Sequence, residues 1–336
     1  MPIDITVLEK TVQKIATPGK GILAADESSA TIKKRFDNIK VESTEENRRS
    51  YRELLFTTPN INQFISGVIL YEETLYQMSK AKQSFPKILL DQGIIPGIKV
   101  DKGFIPLTNY PDDKITEGLD GLAARLNEYK KQGVQFAKWR AVFPITAKNP
   151  SRVAIKTNSE VLARYAAICQ ENGIVPIVEP EVLMDGDHTL ERSYDATHDV
   201  LHGVFHALHR HKVILEGIIL KPSMVISGSS CNMRSSITEV AETTLKTLRE
   251  TVPAAVRSIN FLSGGQTSDL ATAHLKAMNA SKTIKPWYLS FSYGRALQDD
   301  TLKAWAGKAE NIEKAQAALF QRAKTNSEAT KNAINN

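Results

Sequence analysis

The segment EGIILKPSMV, residues 216–225, ends an apolar run in Lys221 with Pro222 directly behind it. An amine in that place is a strand end that has reached solvent, the partner of a buried acid, or a reactive nucleophile. Other apolar runs close in the same way. Asp26 and Glu27 follow GILAA, Lys99 and Asp101 sit in KVD, Lys138 and Arg140 in FAKWRAV, and Glu179 and Glu181 in VEPEVL. In three of these the charges are two residues apart, and the period of two of a β-strand sends such pairs to one face. Each pair alone reads equally well as a structural ion pair. Three lysines, an arginine and five acids converging on one apolar-walled mouth would perturb one another's ionisation, which suits proton transfer and nucleophilic chemistry.

A free lysine amine is almost wholly protonated near neutrality, and an ammonium is no nucleophile. Burial and a second cation favour the neutral form. Lys138 is the natural neighbour for Lys221, and Glu179 and Asp26 are the proton carriers that Schiff-base formation and carbon–carbon cleavage require.

Two later loops suggest an anionic substrate. FLSGGQTSD supplies Ser263, Gly264 and Gly265, and SFSYGRAL supplies Ser292, Tyr293, Gly294 and Arg295, each just before a predicted helix start. Small residues with free backbone N–H groups at a helix N-terminus bind phosphate. Ser28, Thr31, Lys34 and Arg35 could hold a second phosphate; their plainer reading is a helix cap followed by a solvated basic turn.

The elements that would carry these residues alternate. GKGILAAD, FISGVILYEE, KILLDQG, VQFAKWRAVF, IVPIVEPEVL, VILEGIILKPSMV, VRSINFLSGG and PWYLSFSYGR read as eight strands. Between them lie helical patterns near 45–58 and 72–82, then faces such as Leu119, Leu122, Ala123 and Leu126, or Leu162, Tyr165, Ala166 and Cys169. Faces of Leu201, Val204, Phe205 and Leu208 and of Ala241, Thr244, Leu245 and Leu248 follow, then a polar helix near 266–282. Strict alternation predicts a parallel sheet, and eight strands close a barrel, so the expected fold is α/β, a single-domain (β/α)8 TIM barrel. It should occupy residues 1–325, including an N-terminal and a final helix, and leave 326–336 as a frayed polar tail. In such a barrel the active site lies at the C-terminal ends of the strands, where the charged residues fall, and phosphate sites follow strands seven and eight. An open doubly wound sheet fits less well, because no GxGxxG follows a strand.

Composition narrows the function. The chain has 336 residues, 42% hydrophobic and 24% charged, and no apolar run approaches the ~18 residues that span a membrane. The N-terminus lacks the apolar centre of a signal peptide, and two cysteines give no disulfide framework, so a cytoplasmic enzyme is expected. The net charge of +6 is scattered among acids, which weakens a nucleic-acid reading. His198, His202 and His206 have helical i, i+4, i+8 spacing, but they lie beside the apolar face of their helix and away from every strand end. A solvated or oligomer-facing stripe fits them better than a metal site.

The motifs GILAADES, KVDKG, FAKWRAV, VEPEVL, GIILKPSMV, FLSGGQ and SFSYGRALQ closely resemble, in order, those of class I fructose-1,6-bisphosphate aldolase, over about residues 18–322. The resemblance implies a barrel, usually tetrameric, that cleaves fructose 1,6-bisphosphate reversibly to dihydroxyacetone phosphate and glyceraldehyde 3-phosphate, in glycolysis and gluconeogenesis, with no metal or other cofactor. It makes Lys221 the Schiff-base lysine and Glu179 the acid/base of carbinolamine dehydration. Lys138 assists Schiff-base formation, Asp26 orients the imine and helps deprotonate the C4 hydroxyl, and Glu181 holds the lysine network. Ser263, Gly264, Ser292, Gly294 and Arg295 match the C1-phosphate site; Ser28, Thr31, Lys99 and Arg35 match contacts toward the C6 phosphate, and Arg140 belongs to the same mouth. The chain departs from the family at its end, where NAINN stands in place of the tyrosine that assists enamine protonation in many eukaryotic members. A transaldolase-type enzyme would use a similar lysine with one phosphate site. A phosphosugar-binding scaffold would bind without covalent trapping, and a metal-dependent aldolase would be inactivated by a chelator.

Overall fold

Eight parallel strands close on themselves in sequence order, in a computed structural model that describes residues 3–331. The strands are β1 (Gly21–Ala25), β2 (Ile65–Leu70), β3 (Ile95–Lys99), β4 (Phe136–Phe143), β5 (Val175–Val182), β6 (Ile219–Leu220), β7 (Ser258–Phe261) and β8 (Tyr288–Tyr293). Pairing is continuous around the ring, with Ile22 opposite both Ser292 of β8 and Gly67 of β2 and one shift of register against β2 between Gly21 and Ile22. The expected (β/α)8 barrel is the observed fold.

The alternation of side chains explains how one strand serves two purposes. Ile22, Ala24, Ile69, Ile95, Phe136, Val175, Ile177 and Ile219 share one buried cluster with Leu8, Val12 and Ile15 of the helix Ile5–Ile15. These strand residues point inward and fill the lower barrel, and the amphipathic N-terminal helix caps that end. Alternate residues such as Leu23, Ala137, Trp139 and Val178 belong to the second cluster, between the strands and the surrounding helices. Those helices bury the faces expected of them: Leu162, Tyr165, Ala166 and Cys169 in Arg152–Glu171, and Leu201, Val204, Phe205 and Leu208 in Leu190–Arg210.

Four expectations need correction. KILLDQG is not the third strand. Phe85–Asp91 forms a helix with Pro86 in its first turn and Phe85, Ile88 and Leu89 buried at i, i+3, i+4, and the strand follows at Ile95–Lys99 after Gly93 reverses the chain at φ +73°. An apolar run bounded by glycine fits either element, and the proline and the spacing decided for helix. The helix expected near 72–82 is the single short piece Glu72–Tyr76. In Leu122–Lys131 the buried face is Leu122, Leu126 and Tyr129, and Ala123 is exposed. The stretch 326–331 is not frayed. The last helix runs Ile312–Ala329, and Asn326, fully buried, accepts a hydrogen bond from the Thr272 hydroxyl at 2.7 Å. The remainder of the expected tail, 332–336, lies outside the described residues.

The lower barrel is filled by an exchange of size between strands. The Phe136 ring occupies the space beside Gly97 and Gly67, where a Cβ on Gly97 would fall 2.1 Å from the ring. Replacing Phe136 by alanine should lower stability by ~3–5 kcal/mol, the cost of losing a fully buried aromatic ring, and urea unfolding compared with the wild-type protein measures it.

Candidate active site

β1, β4, β5 and β6 bring their inward positions to the C-terminal rim in the next layer above the apolar filling. On β4 the series is Phe136, Lys138, Arg140; on β5 it is Val175, Ile177, Glu179, Glu181; on β6 Ile219 is followed at the same phase by Lys221. The period of two that buries isoleucine below therefore raises charge above. Lys221 lies one residue past β6; its backbone N–H still donates to the Val178 carbonyl at 2.8 Å, and Pro222 has no N–H with which to continue the ladder.

The charged groups form one chain of contacts. Lys138 Nζ lies 2.7 Å from an Asp26 oxygen and 3.1 Å from Glu179 Oε2, and Lys221 Nζ lies 3.1 Å from Glu179 Oε1. Glu179 thus stands between two amines. Lys138, Glu179 and Lys221 are 4%, 3% and 3% exposed, so these charges are stabilised by one another and not by water. Burial opposes ionisation of Asp26 and Glu179, but the nearby charges of Lys138 and Lys221 outweigh it and hold both carboxyls below their usual range. Burial likewise opposes the charge on Lys138, and Asp26, Glu179 and Asp101 overcome it and raise its pKa.

Around this group lies a cavity of about 710 Å³ lined by every residue expected at the site except Tyr293. The Tyr293 side chain is fully buried on the other side of β8, where its hydroxyl donates to the Ala271 carbonyl at 3.1 Å. Its neighbours Ser292 and Gly294 line the cavity and this side chain does not. Glu181 pairs with Arg140, while the lysines meet Asp26 and Glu179; the expected link from Glu181 to the lysines is instead a link to the arginine. Lys99 is tied to Asp101 at 2.7 Å. Arg35 is also paired, 2.5 Å from Glu27, which is 2.6 Å from Arg52 and accepts from Gln298 at 2.9 Å. Glu27 was visible at the end of β1, but its arginine partners come from two helices and no sequence spacing links them.

Three backbone features open on the cavity. Ser28 caps the helix Ser29–Asp37, with its hydroxyl accepting from the Thr31 N–H and lying 3.1 Å from the Thr31 hydroxyl. Gly294 begins the helix Arg295–Trp305, and a Cβ there would come within 3.2 Å of the Ala24 carbonyl oxygen. Gly264 and Gly265 take φ of +54° and +89°, the left-handed region in which glycine is favoured. Helix N-termini and such glycine turns attract anions. Phe104 and Lys102 also line the mouth, from a loop whose short strands Phe104–Pro106 and Lys114–Thr116 the sequence reading missed; the alternating FIP and KIT segments were the available signal.

The histidine stripe is elsewhere. His202 and His206 are exposed on the outer helix Leu190–Arg210, and among the described residues no group of three or more His, Cys, Asp or Glu is arranged to hold a metal ion.

Residues 7–336 match the family model described as glycolytic fructose-bisphosphate aldolase class-I. The chain belongs to the class I fructose-bisphosphate aldolase family. It is 54% identical over 325 residues to a probable class 1 fructose-bisphosphate aldolase of Xylella fastidiosa, covering 96% of this chain and 97% of that one. It is 55% identical to a cytosolic aldolase, number 5, of Arabidopsis thaliana, covering 96% and 90% of the two chains. Among solved structures it superposes with a TM-score of 0.96 on the Plasmodium falciparum fructose-bisphosphate aldolase, crystallised with TRAP and a small-molecule inhibitor, at 50% identity over 98% of this chain and 96% of that one. The aldolase therefore has its family's barrel, and the amine–carboxylate chain lies at the barrel mouth.

Removing Lys138 should expose the balance of charges in this aldolase. Asp26 and Glu179 have depressed folded-state pKa values, so their contribution to stability is present above the unfolded carboxyl range, near ~4, and is lost as pH falls through the lower folded values. Lys138→Met leaves Asp26 without its ion-pair partner and Glu179 with Lys221 alone. It should cost ~3–5 kcal/mol at neutral pH, and the deficit should shrink as pH falls and the acids become neutral. Urea unfolding of both proteins across that pH range checks the sign.

Proposed function

We propose that Lys221 is the amine that forms the Schiff base in the reversible cleavage of fructose 1,6-bisphosphate to dihydroxyacetone phosphate and glyceraldehyde 3-phosphate. The observation that supports it is the 3.1 Å separation of Lys221 from Glu179 inside an apolar-floored mouth. The amine adds to the C2 carbonyl of the open-chain ketose, giving a carbinolamine. Glu179 passes two protons in turn from nitrogen to the C2 oxygen, the first as the ammonium becomes the attacking amine and the second from the carbinolamine nitrogen; the oxygen leaves as water, and the nitrogen, with its one remaining proton, closes the protonated imine.

The iminium is the electron sink for the next step. Asp26 removes the C4 hydroxyl proton, the C3–C4 bond breaks, its electron pair passes to the enamine, and glyceraldehyde 3-phosphate departs as the aldehyde. Protonation at C3 and hydrolysis of the imine release dihydroxyacetone phosphate. Lys138, kept charged by its two acids, holds Asp26 and Glu179 apart as ionised groups and supplies a positive field to the oxygens that gain charge.

The substrate's two phosphates match two anion-attracting groups around one cavity. Ser263, Gly264, Gly265, Ser292, Gly294 and Arg295 serve the C1 phosphate; Ser28, Thr31, Lys34, Arg35 and Lys99 serve the C6 phosphate, with Arg140 between. Arg35 and Lys99 reach a phosphate while still paired to Glu27 and Asp101, which set their positions. A homotetramer in the cytoplasm belongs to the same reading; the family resemblance supports the first, and the cytosolic designation of three Arabidopsis relatives supports the second.

Borohydride added with dihydroxyacetone phosphate should inactivate the enzyme and leave its adduct on Lys221, and Glu179→Gln should lower cleavage by at least about a hundredfold, the scale of a lost acid/base. Peptide mapping that finds the adduct on another lysine, or none, would overturn the assignment of Lys221, and a near-normal rate would remove Glu179 from its role.

A further inference from the structure

The turn carrying Ser263, Gly264 and Gly265 is held from beneath by a buried polar pair. The Gln266 backbone N–H donates to the Ser263 carbonyl at 3.0 Å, and its side-chain Nε2 donates to the same oxygen at 3.0 Å and faces the Met224 sulfur at 3.6 Å. The Gln266 carbonyl accepts from the Arg295 guanidinium at 3.4 Å. On its other side Gln266 Oε1 lies 2.6 Å from His274 Nδ1. Both side chains are buried, at 3% and 2% exposed.

The donor inventory fixes every proton in this relay. The Ser263 oxygen and the Met224 sulfur only accept, so the Gln266 amide must turn its NH2 toward them. Oε1 then faces the imidazole, and His274 must carry its proton on Nδ1. Burial lowers the His274 pKa to about 4, which keeps the ring neutral at working pH and leaves Nε2 without a proton. His274 stands in the middle of the helix Ser268–Ala280, so the relay ties a rigid element to the two-glycine turn.

We propose that His274 and Gln266 are positioning residues for the C1-phosphate subsite, with the His274 Nδ1–H fixing the Gln266 amide and that amide fixing the Ser263–Gln266 turn. The inference rests on the reading of that turn as a phosphate site. Neither side chain lines the cavity, so they act on binding through the turn and not on the chemical step.

The test uses fructose 1,6-bisphosphate as substrate and dihydroxyacetone phosphate, whose single phosphate occupies this subsite, as product inhibitor. His274→Leu should raise KM about tenfold, the scale of one lost buried hydrogen bond, with kcat within about threefold. The inhibition constant for dihydroxyacetone phosphate should rise by a similar factor. His274→Asn, whose amide nitrogen can take the place of Nδ1, should return both constants to within about threefold of wild type. Gln266→Met approaches the same relay from the loop side, should reproduce the loss, and carries the test if the leucine variant does not fold. Ser263→Ala tests the phosphate reading itself and should weaken both constants. If Ser263→Ala weakens them while His274→Leu and Gln266→Met do not, or if asparagine fails to rescue, the positioning role is overturned and the phosphate site stands. If Ser263→Ala leaves both constants unchanged, the phosphate reading falls and takes the positioning role with it.

Discussion

A carboxylate held between two buried amines sets the terms for the rest of this molecule. Glu179 touches Lys138 with one oxygen and Lys221 with the other, and Asp26 closes the group by pairing with Lys138. Any one of these groups alone, so largely removed from water, would neutralise or force the site open. Together they are stable, provided that β1, β4, β5 and β6 hold their ends at a fixed height and spacing. The closed barrel meets that condition, because every strand is restrained by hydrogen bonds on both sides and cannot slip without moving its whole inward row to the other face.

The floor beneath the charges matters as much as the charges. Isoleucines, Phe136 and the helix Ile5–Ile15 fill the barrel below the site, so solvent reaches the amine–carboxylate group only from the mouth. Fixed dipoles and ions act more strongly there than they would in water, and the iminium and enamine proposed at Lys221 would be shielded from side reactions. The glycines beside Phe136 belong to this arrangement: the ring can lie across the interior only because Gly97 and Gly67 give up their side chains.

Charge compensation extends outward from the centre. Glu27 engages Arg35 and Arg52, Asp101 engages Lys99, and Glu181 engages Arg140. Arg35, Lys99 and Arg140 are therefore positioned before a ligand arrives, each with an acid behind it. A dianionic phosphate, the ligand proposed here, would add to such a pair without having to order the side chain, which lowers the entropic cost of binding. The backbone N–H groups at the two helix starts and the glycine turn complete the attraction with dipoles that need no counter-ion.

Much of this was present in the order of residues. Two-residue spacing in KVD, KWR and EPE marked inward-facing charge, the alternation of apolar strands and amphipathic helices specified a barrel, and the family motifs assigned Lys221, because period and composition are properties of a chain read locally. KILLDQG misled because seven residues with a short apolar run fit a helix or a strand until a neighbour claims one face. Only the end of the last helix reads as a loose tail, because Asn326, Ser327 and Thr330 look solvent-facing in sequence; burial against the helix Ser268–Ala280 and the bond to Thr272 are contacts between segments over fifty residues apart. The same limit hid which acid meets which base. Sequence determined that charges would gather at the strand ends, and tertiary structure alone decided that Glu179 lies between the lysines while Glu181 turns to Arg140, because pairing depends on the height and angle at which neighbouring strands close the ring.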